Sequence, residues 1–235
     1  MTPVESAERA LRRAVPWIAT SLALIAAVYV RALAFTPAEA AQGPAQKIFY
    51  VHVPSAWVAF LAFGIVGGVS LAYLLRKDPR LDLLAESAAE VGMVFTSVVL
   101  VTGPIWGKPI WGTWWTWDAR LTLTLFLWFV VLAYLVLRGA VNEPERRARY
   151  AAVLGILGAL LVPFIYASVY LFRTIHPMPV ILRAGGPTLP GAMLATLLFS
   201  IAVFTLFFGV LLYYRYSLAR LADARAHAAA ERRDA

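Results

Sequence analysis

Two histidines and one tryptophan cluster hold most of the residues in this chain that could do chemistry. His52 stands in Phe49-Tyr50-Val51-His52-Val53-Pro54, and His176 in Arg173-Thr174-Ile175-His176-Pro177. Each has a proline within two residues, which narrows the backbone freedom around it. The third histidine, His227, lies in an Ala- and Arg-rich tail and reads as a surface residue. Between the first two runs Gly103-Pro104-Ile105-Trp106-Gly107-Lys108-Pro109-Ile110-Trp111-Gly112-Thr113-Trp114-Trp115-Thr116-Trp117-Asp118-Ala119-Arg120. Five of the eight tryptophans fall within twelve positions there. Were Trp111–Asp118 helical, Trp111, Trp114, Trp115 and Asp118 would share one face. That face would be a flat aromatic shelf suited to a large planar ligand. The competing reading is an interfacial aromatic belt, since Trp favours the headgroup level. Asp118 has two further uses, pairing with Arg120 or capping the next helix.

These residues must be positioned by membrane helices. Of 235 residues, 61% are hydrophobic and only 14% charged, against roughly 45–50% and 25% in soluble domains. A bilayer core needs about 20 apolar residues per helix. Six stretches serve: Val15–Phe35, Ser55–Leu75, Ala89–Ile105, Leu121–Leu137, Tyr150–Phe172 and Gly191–Tyr214. The fold class expected is therefore an all-α polytopic membrane protein with six transmembrane helices. It forms a single membrane domain over 1–235, with a Trp-rich loop at 106–120 and a cytoplasmic tail at 215–235, of which Ala222–Ala235 reads as a frayed helix. With six spans both termini share a side, which carries 15 of the 21 Lys and Arg residues. The positive-inside rule makes that side cytoplasmic. The net charge of +8 is then a topology signal, and a nucleic-acid partner is not expected. The first apolar run followed by Ala38-Glu39-Ala40 has some features of a cleavable signal peptide. Its length of about 20 residues favours a retained helix.

Both histidines and the Trp loop thereby fall on the outer face. That face also carries Lys47, Lys108, Arg120, Arg173 and Arg183 against only Glu39 and Asp118 as acids. Two neutral imidazoles could fill both axial positions of a haem iron, and the bases could pair its propionates. A zinc site would lack further ligands, because cysteine is absent and outer carboxylates are few. The lack of cysteine also excludes thiol redox chemistry and covalent c-type haem attachment. No Gly-x-x-x-x-Gly-Lys-Ser/Thr loop occurs, so any ATP use belongs to a partner.

The segment Trp106–Thr122 resembles the tryptophan-rich "WWD" signature of haem-handling proteins. Its continuation Trp117-Asp118-Ala119-Arg120-Leu121-Thr122 is similar to one branch, the cytochrome c maturation protein C (CcmC) family. Phe49–Trp57 resembles the first histidine motif of that branch. The Leu171-Phe172-Arg173 stretch departs from it, since paired aromatic residues are expected before the second histidine. The resemblance implies a bacterial inner-membrane protein that holds non-covalent, transient haem b on its outer face. It implies attachment of that haem to a chaperone, cytochrome c maturation protein E. A single-span protein D and ABC transporter subunits A and B would act with it. By position, His52 and His176 would be the axial ligands. Trp106, Trp111, Trp114, Trp115, Trp117 and Asp118 would form the haem and chaperone platform. Arg120 stands where the motif has Arg, and Lys47, Arg173 and Arg183 are propionate candidates. The rival classes are a b-type electron-transfer subunit, whose haem ligands usually lie within helices, and a transporter, which needs polar groups at mid-membrane.

Overall fold

The computed structural model describes residues 2–181 and 183–234. Six helices dominate: α1 (Pro3–Val30), α2 (Phe49–Arg76), α3 (Pro79–Trp111), α4 (Ala119–Ala140), α5 (Pro144–Leu171) and α6 (Gly191–Asp234). Each is long and apolar enough to cross a membrane, and no strand is present among the described residues. Large apolar side chains such as Leu33, Leu75, Val136 and Phe164 point outward, as lipid-facing residues of a multi-pass protein must.

Local chemistry sets the helix starts. Thr2 and Glu5 form a reciprocal capping box at α1, which satisfies two backbone donors the first turn would otherwise leave unpaired. Asp78 caps α3 and Asp118 caps α4. Pro3, Pro79 and Pro144 occupy first helical positions, where a missing N–H costs nothing. After α1 the chain widens into a five-residue π-helical turn, Arg31–Phe35, and re-enters through a 3₁₀ turn, Pro44–Ile48.

Helix α2 is the hub. It packs against α3, α5 and α6, while α1 pairs with α6 and α4 with α5. The α2–α5 contact depends on small residues. A Cβ on Gly67 would lie 2.3 Å from that of Ala159, and one on Gly155 would lie 2.7 Å from the Ser70 hydroxyl. Such close backbone approach is the usual basis of helix association in lipid. Val58, Phe63, Val66, Phe95, Leu127, Ile165 and Phe204 fill the centre.

Two features go beyond the sequence expectation. The helix of the last span runs on past Tyr214: α6 continues to Asp234, with Ala219 and Leu221 buried and Arg225 paired to Glu8 of α1 at 2.9 Å. A charge cluster also closes the bundle end opposite the tryptophans. Arg138, in the last turn of α4, makes a bidentate pair with Asp82 of α3 at 2.6 and 2.9 Å and reaches Glu86 at 2.9 Å. Glu90 pairs with Arg215 of α6.

Candidate functional site

The segment after α3 is not helical. Helix α3 ends at Trp111, and Gly112 caps it with a positive φ of 75°, a conformation that side chains with a Cβ resist. Residues 112–118 then run as bends and irregular chain until Asp118 starts α4. The expected shelf at i, i+3, i+4, i+7 therefore does not form. The tryptophans are gathered another way, from two turns of α3 and from the irregular crossover.

What the crossover covers is a cavity of about 140 Å³ at the tryptophan end of the bundle. Trp106, Trp111, Trp114 and Trp115 line it, together with His52, His176 and Arg120. Trp106 is the buried wall. It donates its indole N–H to Gln42 at 3.0 Å and meets Phe49 and His52 edge-on, with ring centroids 5.9 and 5.7 Å away. Trp111 tilts over Trp106 at 6.3 Å. The indole N–H of Trp115 is buried without a hydrogen-bond partner.

The histidines enter from different elements. His52 sits in the first turn of α2, 8% exposed. His176 sits in the irregular chain between α5 and α6. Both rings are held at Nδ1. The Thr102 hydroxyl lies 2.9 Å from His52 Nδ1 and already donates its proton to the Val98 carbonyl at 2.7 Å. It must therefore accept from His52 Nδ1–H. The Pro177 carbonyl, which can only accept, lies 2.8 Å from His176 Nδ1. In both rings the network assigns the proton to Nδ1 and leaves Nε2 with the free lone pair, the arrangement of a metal-ligating histidine with an oriented second nitrogen. Burial, and after it the Arg120 guanidinium, pushes the His176 pKa down from 6.5 to about 3. The ring is neutral at pH 7, the form that binds a metal.

Arg120 stands at the base of the site, with its Nη1 buried and lacking a hydrogen-bond partner. Asp118 commits both of its carboxylate oxygens to other donors. One Asp118 oxygen accepts the backbone N–H groups of Arg120 and Leu121 at 3.0 and 3.1 Å. The other accepts from the Thr116 hydroxyl at 2.9 Å. Asp118 is thus the α4 cap, one of the alternatives open in the sequence. A guanidinium with an unpartnered N–H in a largely apolar site suits a carboxylate ligand.

Other expected residues stand apart. Trp117 is 76% exposed and lines neither this cavity nor the one beside it. Lys47 is turned toward the π-helical turn and donates to the Thr36 and Pro37 carbonyls. Arg173 and Arg183 are exposed and line neither cavity. Thr102 and Gln42 carried no sequence signal: each is one polar residue in a loop or apolar helix, visible only through its partner across the fold. Among the described residues no three His, Asp or Glu side chains converge.

Comparison with known proteins now bears on the identity. The family model for heme exporter protein C matches residues 2–231. This chain belongs to the CcmC family. It is 39% identical over 196 residues to a "Heme exporter protein C" of Bradyrhizobium diazoefficiens, covering 83% of this chain and 74% of that one. It is 35% identical over 203 residues to one of Haemophilus influenzae, covering 86% and 82%. The Escherichia coli K12 protein of that name is 36% identical over 166 residues, covering 69% and 66%. Family membership places the chain in haem handling for cytochrome c biogenesis.

Proposed function

We propose that this CcmC-family chain holds haem b non-covalently and transiently on the outer face of the bacterial cytoplasmic membrane. From there it presents the haem for attachment to the periplasmic chaperone, cytochrome c maturation protein E. The observation that carries the reading is the pair of Nδ1-tethered histidines on one tryptophan-walled cavity. Iron in haem accepts two axial imidazole nitrogens, and the free Nε2 atoms of His52 and His176 supply them.

The chain's own groups would divide the remaining tasks. Thr102 and the Pro177 carbonyl keep each ligand in the competent tautomer. Trp106, Trp111, Trp114 and Trp115 offer aromatic faces and exclude water. Arg120 pairs a propionate. Trp114 and Trp117, both more than half exposed, offer an aromatic surface to the chaperone beside the cavity. Lys47, Arg173 and Arg183 would act as outlying charges around that surface. Protein D and ABC subunits A and B would complete the assembly. The charge asymmetry of the loops supports the orientation, with tryptophans outward. The protein contributes position and electrostatics, while the reactivity at iron and vinyl belongs to the haem.

The test is transfer. Haem-loaded protein is mixed with the soluble domain of the chaperone, and haem is followed onto the chaperone by denaturing gel and spectrum. Movement in wild type and none in the His52→Ala, His176→Ala double variant is expected. Haem that stays in place and only changes oxidation state would favour an electron-transfer subunit instead.

A further inference from the structure

A second, larger cavity of about 570 Å³ adjoins the first. It lies against α2, between α5 and α6, under the chain around Met178. Both α5 and α6 pack on α2, yet they pack at most weakly on each other. The gap between them is therefore open toward the surface of the bundle. Its rim is apolar and outward-facing: Trp57 is 42% exposed, Met178 48% and Leu198 49%. A bond from the Trp57 indole N–H to the Thr205 hydroxyl, 3.1 Å long, ties α2 to α6 nearby. This cavity shares Trp106, Arg120 and His176 with the histidine cavity.

An apolar opening on the side of a membrane helix bundle faces acyl chains, not water. Among the described residues Arg120 is the one charged side chain on its lining, and it keeps an N–H without a partner. The histidine cavity alone is small, about 140 Å³, whereas ligand sites usually span roughly 300–1,000 Å³. The larger cavity falls within that range. Its chemistry, an apolar slot ending in a buried cation, suits a flat apolar molecule bearing a carboxylate.

We propose that the α5–α6 opening is a lateral entrance through which haem passes from the lipid bilayer into the histidine site, propionate-first toward Arg120. The proposal rests on the haem-holding function above and adds the route. Entry through the slot needs no exposure of the tryptophan crossover to water, which leaves that face free for the chaperone.

Loading kinetics test it. Apoprotein in vesicles is mixed with haem-preloaded donor vesicles, and growth of the low-spin haem spectrum is timed. Leu198→Trp narrows the rim without touching the ligands or Arg120. Loading on the order of tenfold slower, with an unchanged final spectrum, is expected. Leu206→Trp, exposed on the same helix outside the slot, should load as wild type. Because the chain has no cysteine, a Leu198→Cys variant whose uncapped form loads normally can be capped with pyrene maleimide in detergent and then reconstituted. This covers the case in which the tryptophan variant fails to fold. Capped protein that loads at the uncapped rate overturns the lateral route. Wild type that gives no low-spin spectrum under any delivery overturns the haem-holding function instead.

Discussion

Replacing Thr102 with valine isolates the hydrogen bond that sets the His52 tautomer. The side chains are nearly the same shape, so packing against α2 is kept and only the hydroxyl is lost. His52 Nδ1–H then faces no acceptor, and the ring is free to place its proton on Nε2, where it blocks coordination. A hydrogen bond of this kind contributes about 0.5–1.5 kcal/mol net, and the bond strengthens when the opposite nitrogen binds a cation. Loss of an outer partner of a metal-bound histidine typically weakens metal affinity about 10–100-fold. We expect haem affinity at the low end of that range, about tenfold weaker, with a shifted reduction midpoint. Spectral titration of detergent-purified apoprotein with haem measures the first, and a redox titration the second. Thr102→Ser keeps the oxygen and should remain close to wild type. If Thr102→Val binds haem with wild-type affinity and midpoint, the hydroxyl does not orient His52 and the tautomer argument is wrong.

Other substitutions probe the site and its frame. Arg120→Gln should weaken haem binding about tenfold, and Arg120→Lys should not fully restore it, since an ammonium lacks the guanidinium's planar fork; titration with haem and with its dimethyl ester, which has no free carboxylates, separates the charge effect from packing. Gly67→Val must push Ala159 away and should destabilise the bundle by about 1–3 kcal/mol, read as a lowered Tm in detergent. Arg138→Ala leaves Asp82 and Glu86 without their buried partner and should cost about 3–5 kcal/mol, sharply reducing the yield of folded protein. The fraction that does fold should bind haem with an unaltered spectrum, because the cluster lies at the opposite end of the bundle.

The helical membrane architecture was legible because apolar length is a one-dimensional property: about 20 uncharged residues suffice to mark a span. The tryptophan motif and the two histidines were legible by type. How the tryptophans converge was not. Gly112 stops α3 at Trp111 and the crossover is irregular, so helical periodicity does not describe how they meet. Lys47, Arg173 and Arg183 share a side of the membrane with the site, but only Arg120 reaches it. A charge pattern reports the side, not the contact. The buried Arg138 cluster escaped notice because its members looked like ordinary residues at helix ends. The span Gly191–Tyr214 marks only the apolar part of α6; its polar continuation pairs with α1, a tertiary contact that composition does not encode.

The central claim is that His52 and His176 together ligate haem iron. The direct measurement is the visible and near-infrared magnetic circular dichroism spectrum of haem-reconstituted wild type, beside the two single alanine variants and the double variant. Low-spin bis-imidazole bands in wild type are predicted, with each single variant high-spin or mixed and the double variant without protein-bound haem. A wild type lacking those bands, or a double variant that keeps them, would contradict the account.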